Sequence, residues 1–177
     1  MVTMARTVVT GLLLAVLAAH VAHAAPSGPD MQGTFVLDPN ASDNVHRAID
    51  ALVAQMGGLR GPIARMRPRD VNQPPQRIEV AYTATDVSIT TDGQDTIRTP
   101  FDDQPVKWKA SDGEEFTIRT VWDDRTMRRV FVADDGQRAN TYVFSPDGAT
   151  LRMSVVLTSP QLPGPLEYTL VYKRSGP

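Results

Sequence analysis

The stretch GEEFTIRTVWDDRTMRRVFVADDGQRANTYVFSPDGATLRM, from Gly113 to Met153, decides the fold. It consists of runs rich in β-branched and aromatic residues, which favour strands. The runs are separated by Asp123-Asp124, Asp134-Asp135-Gly136 and Pro146-Asp147-Gly148, and such clusters are typical of tight turns. Strands joined directly by tight turns pair with their neighbours in antiparallel order. The stretch therefore predicts an up-and-down antiparallel meander.

The N-terminal segment has the three parts of a secretory signal peptide. Arg6 is the only charge in the first seven residues, an apolar run follows from Val8 to Ala19, and Ala22-His23-Ala24 forms a small-x-small cleavage pattern. We expect cleavage after Ala24, which leaves 153 of the 177 residues as one domain over 25–177. The mature protein is then expected outside the cytoplasm, either periplasmic or secreted.

The composition limits what the exported chain can be. It contains no cysteine, so neither a disulfide framework nor a lipid anchor on a cysteine is possible. One apolar core must therefore provide its stability. Loss of Arg6 takes the formal net charge from −2 to −3, whereas dedicated nucleic-acid binders usually have a pI above about 9. We therefore expect no nucleic-acid partner.

Outward from the central stretch, periodicity predicts ten strands and a helix between the first two of them. Ser42, Asp43 or Asn44 can cap the helix, Gly57-Gly58 ends it, and a short second helix is predicted over 59–66. The first helix has a single apolar face, made of Val45, Ile49, Leu52, Val53 and Met56. The predicted strands are 30–37, 76–83, 86–91, 95–99, 106–109, 114–122, 126–133, 138–145, 150–158 and 166–174.

Alternation within the strands places apolar side chains on one face of the sheet and charged side chains on the other. Phe116, Ile118 and Trp122, for example, alternate with Glu115 and Arg119. One or two helices cannot cover the apolar face of ten strands, so we predict that the sheet curls into a closed barrel. The alternative is an open half-barrel with the helix on its concave side. About eight strands are just wide enough for one small ligand, so ten should leave room.

The order of these elements resembles the calycin superfamily, the lipocalin-like and fatty-acid-binding barrels, over the whole mature chain. Gly33-Thr34-Phe35 leads into a helix-turn-helix, and a meander with Asp-Gly turns ends in a strand that carries Tyr172. The resemblance implies a barrel with a helical lid over one mouth. Two arginines usually hold a carboxylate ligand in that family, but Leu170 and Val143 stand near the corresponding places here. Arg138 or Arg129 can offer a substitute.

The inward face of the barrel and the lid supply the candidate binding residues. The expected ligand is a small apolar or amphipathic molecule, and no cofactor is expected. Arg60, Arg65 and Arg67 form a basic run that can steer an anionic ligand or contact an anionic membrane surface; the alternative is a solvated helix face. The candidate ligand-binding residues are Tyr82, Trp108, Phe116, Ile118, Trp122, Met153, Tyr168, Tyr172, Ile49, Leu52 and Met56.

The residue inventory offers little for catalysis. His46 is the only histidine after cleavage and is predicted on the solvent side of the helix, and the chain has no Gly-x-Ser-x-Gly motif. One histidine and no cysteine exclude the usual zinc sites, so we expect no metal. The leading hypothesis is a non-enzymatic, monomeric barrel that binds or carries a small molecule. A secreted interaction or inhibitor module is the alternative, and an enzyme that uses inward Tyr, Arg and Glu comes third.

Overall fold

Ten strands and one helix make up the described part of the chain. The computed structural model describes residues 30–56, 73–92, 96–110 and 113–176. Five predicted strands have the predicted bounds, and the other five differ by at most three residues at an end. The predicted signal peptide and the second predicted helix lie outside the described residues. In chain order the elements are β1 (Gly33–Leu37), α1 (Val45–Ala54), β2 (Arg77–Tyr82), β3 (Asp86–Thr91), β4 (Thr96–Pro100), β5 (Val106–Lys109), β6 (Glu115–Asp123), β7 (Thr126–Ala133), β8 (Gly136–Phe144), β9 (Thr150–Thr158) and β10 (Leu166–Arg174).

The sheet is an antiparallel meander that curls back on itself. Its strands lie in the order β4-β3-β2-β1-β10-β9-β8-β7-β6-β5. The first and last strands of the chain pair with each other, with Phe35 opposite Arg174, whereas β4 and β5 form the two edges although they are consecutive in the chain. The result is a nearly closed barrel, as the alternation predicts, and not the open half-barrel.

Contacts across a seam bring the two edges of the sheet together. The Oγ1 atoms of Thr99 on β4 and Thr120 on β6 lie 2.7 Å apart. Asp102, in the loop after β4, forms an isolated antiparallel bridge with Val121 on β6. The seam is thus held by side chains and one bridge, whereas the other strand pairs are held by backbone ladders.

The barrel has two different ends. The upper end carries α1 and the connections β3–β4, β5–β6, β7–β8 and β9–β10, and the lower end carries the remaining connections between strands. Two-residue turns join β6 to β7 and β7 to β8, because Asp123 pairs with Thr126 and Ala133 pairs with Gly136. In the first of these turns Asp124 has a φ of 48°, a left-handed conformation that aspartate tolerates better than most residues.

Helix α1 begins at Val45 because Asn44 caps it. Asn44 has an extended backbone, and its Oδ1 accepts a hydrogen bond from the backbone N–H of Arg47 at 3.0 Å. This bond satisfies one of the backbone donors that a helix N-terminus leaves without an intrahelical partner. Of the three cap candidates in the sequence, Asn44 is therefore the N-cap.

The segment between β1 and α1 continues the hydrogen bonding of β10 beyond the end of β1. The N–H of Asp38 donates to the carbonyl of Val171 at 2.8 Å. In return, the N–H of Val171 donates to Ser42 Oγ at 2.8 Å, and the N–H of Thr169 donates to Asp43 Oδ2 at 2.7 Å. Side chains thus take the place of a paired strand along this edge and fix where α1 begins.

The apolar face of α1 belongs to the same core as the strands. Ile49 and Val53 each keep 1% of their surface exposed, and Leu52 keeps 8%. These side chains and those inside the barrel form one continuous cluster, so the helix covers the upper end as part of the core. His46 lies on the exposed side of the helix, as predicted. No helix in the described ranges has the length and apolar character that crossing a membrane requires.

Five aromatic rings fill the lower part of the barrel, and we call them the aromatic floor. Trp122 stacks on Phe144 with ring centroids 5.9 Å apart and 5° between the planes. Tyr82 and Phe101 contact Trp122 with their edges, and Phe35 contacts Phe144 in the same way. Such pairs stabilise a fold by about 0.5–1.5 kcal/mol each beyond the burial of their area. The floor is therefore a packed region of the fold.

Candidate ligand site inside the barrel

Five polar side chains converge inside the barrel between the aromatic floor and the upper end, and we call them the polar cluster. Arg138 Nε donates to Asn140 Oδ1 at 2.9 Å, and Arg138 Nη2 donates to the Tyr168 hydroxyl at 3.4 Å. Asn140 Nδ2 donates to the Tyr142 hydroxyl at 3.2 Å. The fifth member is Tyr172, whose buried hydroxyl has no hydrogen-bond partner among the described residues.

Burial keeps the two tyrosines of β10 protonated. It raises the pKa of Tyr168, although the nearby Arg138 partly offsets this effect. It also raises the pKa of Tyr172, and the neighbouring Tyr142 and Tyr168 act in the same direction. Both phenols can therefore donate hydrogen bonds at neutral pH. Because an unsatisfied buried hydroxyl costs about 1–3 kcal/mol, the Tyr172 hydroxyl would be stabilised by an acceptor atom of a water or a ligand.

Arg129, on β7, is a second arginine inside the barrel and keeps only 1% of its surface exposed. Its Nε donates to Thr120 Oγ1 at 3.1 Å, and its Nη2 donates to Thr99 Oγ1 at 2.9 Å. The carbonyls of Ile97 and Val87 accept further bonds from the guanidinium. Burial lowers the pKa of Arg129 to about 10, so it is still a cation at neutral pH. No carboxylate in the described ranges pairs with it, and the interior therefore carries positive charge.

Three aromatic side chains line the inside of the barrel near the upper end, and we call them the aromatic wall. They are Trp108 on β5, Phe116 on β6 and Phe131 on β7, and all three are half-buried. The ring centroids of Trp108 and Phe116 are 5.8 Å apart, and those of Phe116 and Phe131 are 6.4 Å apart with an edge-to-face angle of 88°. Phe131 lies directly opposite Arg138 on β8. The wall therefore ends at the polar cluster.

A cleft at the upper rim lies beside this wall. It has a volume of about 700 Å³ and lies between the β5–β6 and β7–β8 hairpins. Phe116 lines it together with charged residues of the rim, among them Lys107, Glu115 and Asp134. A smaller cleft of about 420 Å³ lies between α1 and the start of β10. Because Lys107, Glu115 and Val132 alternate with the inward residues of their strands, the larger cleft lies on the outer side of the sheet, behind the aromatic wall.

The predicted site residues fall into distinct groups in the structure. Trp108 and Phe116 lie in the aromatic wall, Tyr168 and Tyr172 lie in the polar cluster, whereas Tyr82 and Trp122 belong to the aromatic floor. Their part in binding stays a prediction, and the basic run of Arg60, Arg65 and Arg67 lies outside the described residues. The remaining predicted residues are buried or partly buried parts of the apolar core: Ile118, Met153, Ile49, Leu52 and Met56.

Three interior residues are missing from the site that the sequence predicts: Phe131, Asn140 and Tyr142. They can be identified from the alternation of inward and outward side chains along β7 and β8. Phe131 lies two residues after Arg129, and Asn140 and Tyr142 follow Arg138 at the same spacing. Arg129 and Arg138, which the sequence suggests in place of the family's two carboxylate-binding arginines, both point into the barrel.

The described ranges contain no candidate metal site. No cluster of three or more His, Asp or Glu side chains is placed to hold an ion there. Asp124 and Asp134, for example, lie in the β6–β7 and β7–β8 turns. What the site offers is therefore hydrogen-bond donors, two guanidinium groups and aromatic faces.

Comparisons with known proteins identify the fold. No family model matches the sequence, and no curated protein matches it. Solved structures do match, among them three at 10–13% identity. A secretary abundant heat soluble (SAHS) protein from Ramazzottius varieornatus matches with a TM-score of 0.53 and 13% identity, over 84% of this chain and 98% of that chain. Human cRBP IV matches with a TM-score of 0.51 and 13% identity, over 82% and 98%. Fatty-acid-binding protein 1 of Echinococcus granulosus matches with a TM-score of 0.50 and 10% identity, over 82% and 97%.

These likenesses define the class of fold. The chain shares its fold with human cRBP IV and with the fatty-acid-binding protein of Echinococcus granulosus, and it forms a ten-stranded, nearly closed barrel with a helix between the first two strands. The resemblance that the order of elements implies is thereby confirmed for the fold. At these identities the fold is what the proteins share, and the ligand has to be argued from this chain's own residues.

Proposed function

We propose that the protein binds a small amphipathic molecule inside the barrel, with its anionic head at the polar cluster and its apolar body against the aromatic wall. The observation that carries the proposal is the hydrogen bond of Arg138 to Tyr168 directly opposite Phe131 of that wall, with the unsatisfied Tyr172 hydroxyl deeper in the same interior. The name of one structural neighbour, a fatty-acid-binding protein, supports a ligand of this general kind. The activity is binding or transport, without catalysis.

The chemistry of the cluster suits an oxyanion. A guanidinium group forms strong, charge-assisted hydrogen bonds with a carboxylate, and it does so with defined geometry. The Tyr172 hydroxyl, which is buried and unsatisfied within the described ranges, can donate a hydrogen bond to an acceptor atom of a ligand that reaches it. The charge of Arg129 favours a negative ligand from a second direction. A neutral, wholly apolar ligand would offer no acceptor to the Tyr172 hydroxyl and no charge to the two arginines.

An anionic naphthalene sulfonate dye tests this proposal, because its fluorescence rises in an apolar environment. Wild type should bind the dye saturably, and Arg138→Gln should weaken binding about tenfold or more, as expected when a charge-assisted bond worth about 1.5–3 kcal/mol is lost. Arg128→Gln is the matched control, since Arg128 is a neighbouring but exposed arginine and should bind like wild type. Equal binding by wild type and Arg138→Gln would contradict the proposed site.

The place of action that we propose is outside the cytoplasm, after cleavage at Ala24. The intact mass of protein recovered from its own host should start near Ala25, and native mass spectrometry of the same sample should reveal a bound small molecule. Retention of the first 24 residues would contradict export. We further propose that Arg65 and Arg67 steer the anionic ligand. The double variant Arg65→Glu, Arg67→Glu should slow dye binding and reduce its dependence on salt.

A second candidate function is a secreted interaction or inhibitor module, and the outer face of the barrel favours it. Val130, Ala139 and Val156 form an apolar row across β7, β8 and β9 on the outside. Val156 keeps 37% of its surface exposed, and Val132, two residues after Val130 on β7, keeps 41%. If this row binds a partner, Val156→Lys should abolish a specific interaction without changing dye binding. If the partner is bound equally by wild type and variant, this candidate fails.

A further inference from the structure

The residues inside the barrel also indicate which class of ligand the site binds. We infer that the ligand is a compact aromatic carboxylate, such as an arylacetate, and not a long acyl chain. The inference rests on the proposed function and makes it more specific. Three features carry it: the depth of the site, the ring faces of the wall, and the short distance between ring and charge.

The aromatic floor limits how deeply a ligand can reach. Trp122 and Phe144, stacked on each other, keep only 3% and 1% of their surface exposed. From Arg138 to the upper end of the barrel, β7 and β8 have two pairs of inward residues that face each other. These pairs are Phe131 with Arg138 and Ala133 with Gly136. Two residues along a strand span about 7 Å. This depth suits one or two fused rings, whereas a long chain held at Arg138 would extend beyond the upper ends of β7 and β8.

The aromatic wall offers ring faces and edges as well as apolar area. Phe116 is tilted by 35° against Trp108 and stands edge-on to Phe131. A planar ligand can therefore stack on one ring while it meets the edge of another, which is the arrangement that aromatic pairs prefer. An aliphatic chain gains burial from the same contacts but not the aromatic contribution. The half-buried rings consequently favour an aromatic body.

An aromatic side chain and a positively charged side chain lie close together in the site. Phe131 and Arg138 are opposite each other on neighbouring strands, and side chains in such pairs have Cβ atoms about 4.5–5.5 Å apart. A carboxylate joined to an aromatic ring through one or two bonds can therefore contact Arg138 while its ring contacts Phe131. The buried cation of Arg129 adds attraction for the negative head group. An arylacetate matches both groups at once.

Isothermal titration calorimetry on the full chain tests the inference with four probes: 2-naphthylacetate, decanoate, oleate and the neutral 2-naphthylethanol. We expect 2-naphthylacetate to bind tightest, about tenfold more tightly than decanoate or the neutral alcohol. Oleate should bind more weakly than 2-naphthylacetate. If oleate binds more tightly, the inference is overturned, while the proposed function still stands. If neither aromatic nor aliphatic acid binds, both fail.

A substitution that removes a ring but keeps apolar volume separates aromatic recognition from simple burial. Phe131→Leu should weaken 2-naphthylacetate about three- to tenfold, the value of one aromatic pair, and should leave decanoate within about twofold. Val132→Leu, on the outer side of the same strand, is the control and should change neither. Phe116→Leu is a second variant with the same expectation, in case Phe131→Leu does not fold by circular dichroism. Equal loss for both acids in the folded variant would overturn the aromatic preference.

Discussion

Arg129 shows how one side chain can join the two edges of a sheet. It reaches from β7 to the hydroxyls of Thr99 and Thr120 and to two strand carbonyls. These four acceptors are neutral, so its charge is stabilised by oriented dipoles and not by an ion pair. Burying a cation in this way is unfavourable unless its donors are well satisfied. We attribute the closure of the seam in large part to this residue.

Arg129→Met should therefore destabilise the protein substantially. The methionine keeps much of the apolar stem but removes four hydrogen bonds from the seam, and we expect the free energy of unfolding to fall by about 2–4 kcal/mol. Urea unfolding followed by tryptophan fluorescence measures this change. The exposed neighbour provides the control, because Arg128→Met should change stability by less than about 0.5 kcal/mol. Equal effects from the two variants would show that the seam does not depend on Arg129.

For single residues, alternation in the sequence predicts the inward apolar side chains, whereas Arg129 and Arg138 are suggested only by the family resemblance and Asn140 is not predicted at all. Trp108, Phe116 and Trp122 stand out because bulky apolar residues alternate with charged ones. Arg129 and Asn140 have polar side chains, and polarity alone assigns them to solvent. Only their position in the alternation, together with the closure of the barrel, places them inside. Their hydrogen-bond partners lie on other strands, and no local pattern reveals those contacts.

The segment from Asp38 to Asp43 is the element that attaches the helix to the sheet. Asp38 bonds to β10 through its backbone, while Ser42 and Asp43 bond through their side chains. Ser42 Oγ also donates to the carbonyl of Asp38 at 2.8 Å. This segment closes the edge of β10 where β1 has ended, so its loss should loosen the upper end before the rest of the barrel.

Ser42→Ala tests this role locally. The substitution leaves the amide of Val171 without its acceptor, and an unsatisfied buried donor costs about 1–3 kcal/mol. Hydrogen exchange should therefore become faster at Val171 and along the upper half of β10, while amides of β7 and β8 keep their protection. Ser145→Ala, in the β8–β9 turn at the lower end, is a control that should leave the exchange of Val171 unchanged. Uniformly faster exchange in Ser42→Ala would instead indicate global destabilisation.

The elements themselves could be predicted almost completely from the sequence. Strand bounds such as 126–133 and 150–158 follow from alternation and turn residues, both of which are local. The choice among Ser42, Asp43 and Asn44 as the N-cap could not be made, because all three residue types cap helices well. The decision comes from β10, which binds Ser42 and Asp43 and leaves Asn44 to cap the helix. That partner lies about 130 residues away in the chain.

For the whole molecule, we expect a loss of stability in acid that begins below about pH 4. A hydrogen bond from Lys173 is the main cause that lowers the pKa of Asp38, and hydrogen bonds from Thr85 and Ser145 do the same for Asp86 and Asp147. The folded state therefore binds protons at these groups less readily than the unfolded state, whose carboxyl pKa is near 3.9. Their stabilising contribution is complete above that value and is lost as the pH falls through the lowered values.

Urea midpoints measured between pH 6 and pH 2 test this expectation. The midpoint should be nearly constant down to about pH 4 and then fall. In Asp147→Asn the fall should be smaller, because one of the linked carboxyl groups is gone while Asn can still accept hydrogen bonds in the turn. A midpoint that rises on acidification, or that falls equally in the variant, would contradict the assignment.

The position of the seam suggests where the chain can be circularly permuted. The two ends of the described chain lie side by side, since Arg174 donates to the carbonyl of Gln32, which is 142 residues earlier, whereas the sheet is interrupted at the β4–β5 loop. A circular permutant that begins in this loop, near Gln104, and joins residue 176 to residue 30 by a short linker would have its ten strands in the same order in sequence and in space. The pairing of β1 with β10 would then become local. Because folding rates rise as the mean sequence separation of contacts falls, the permutant should fold faster than the natural chain in stopped-flow refolding.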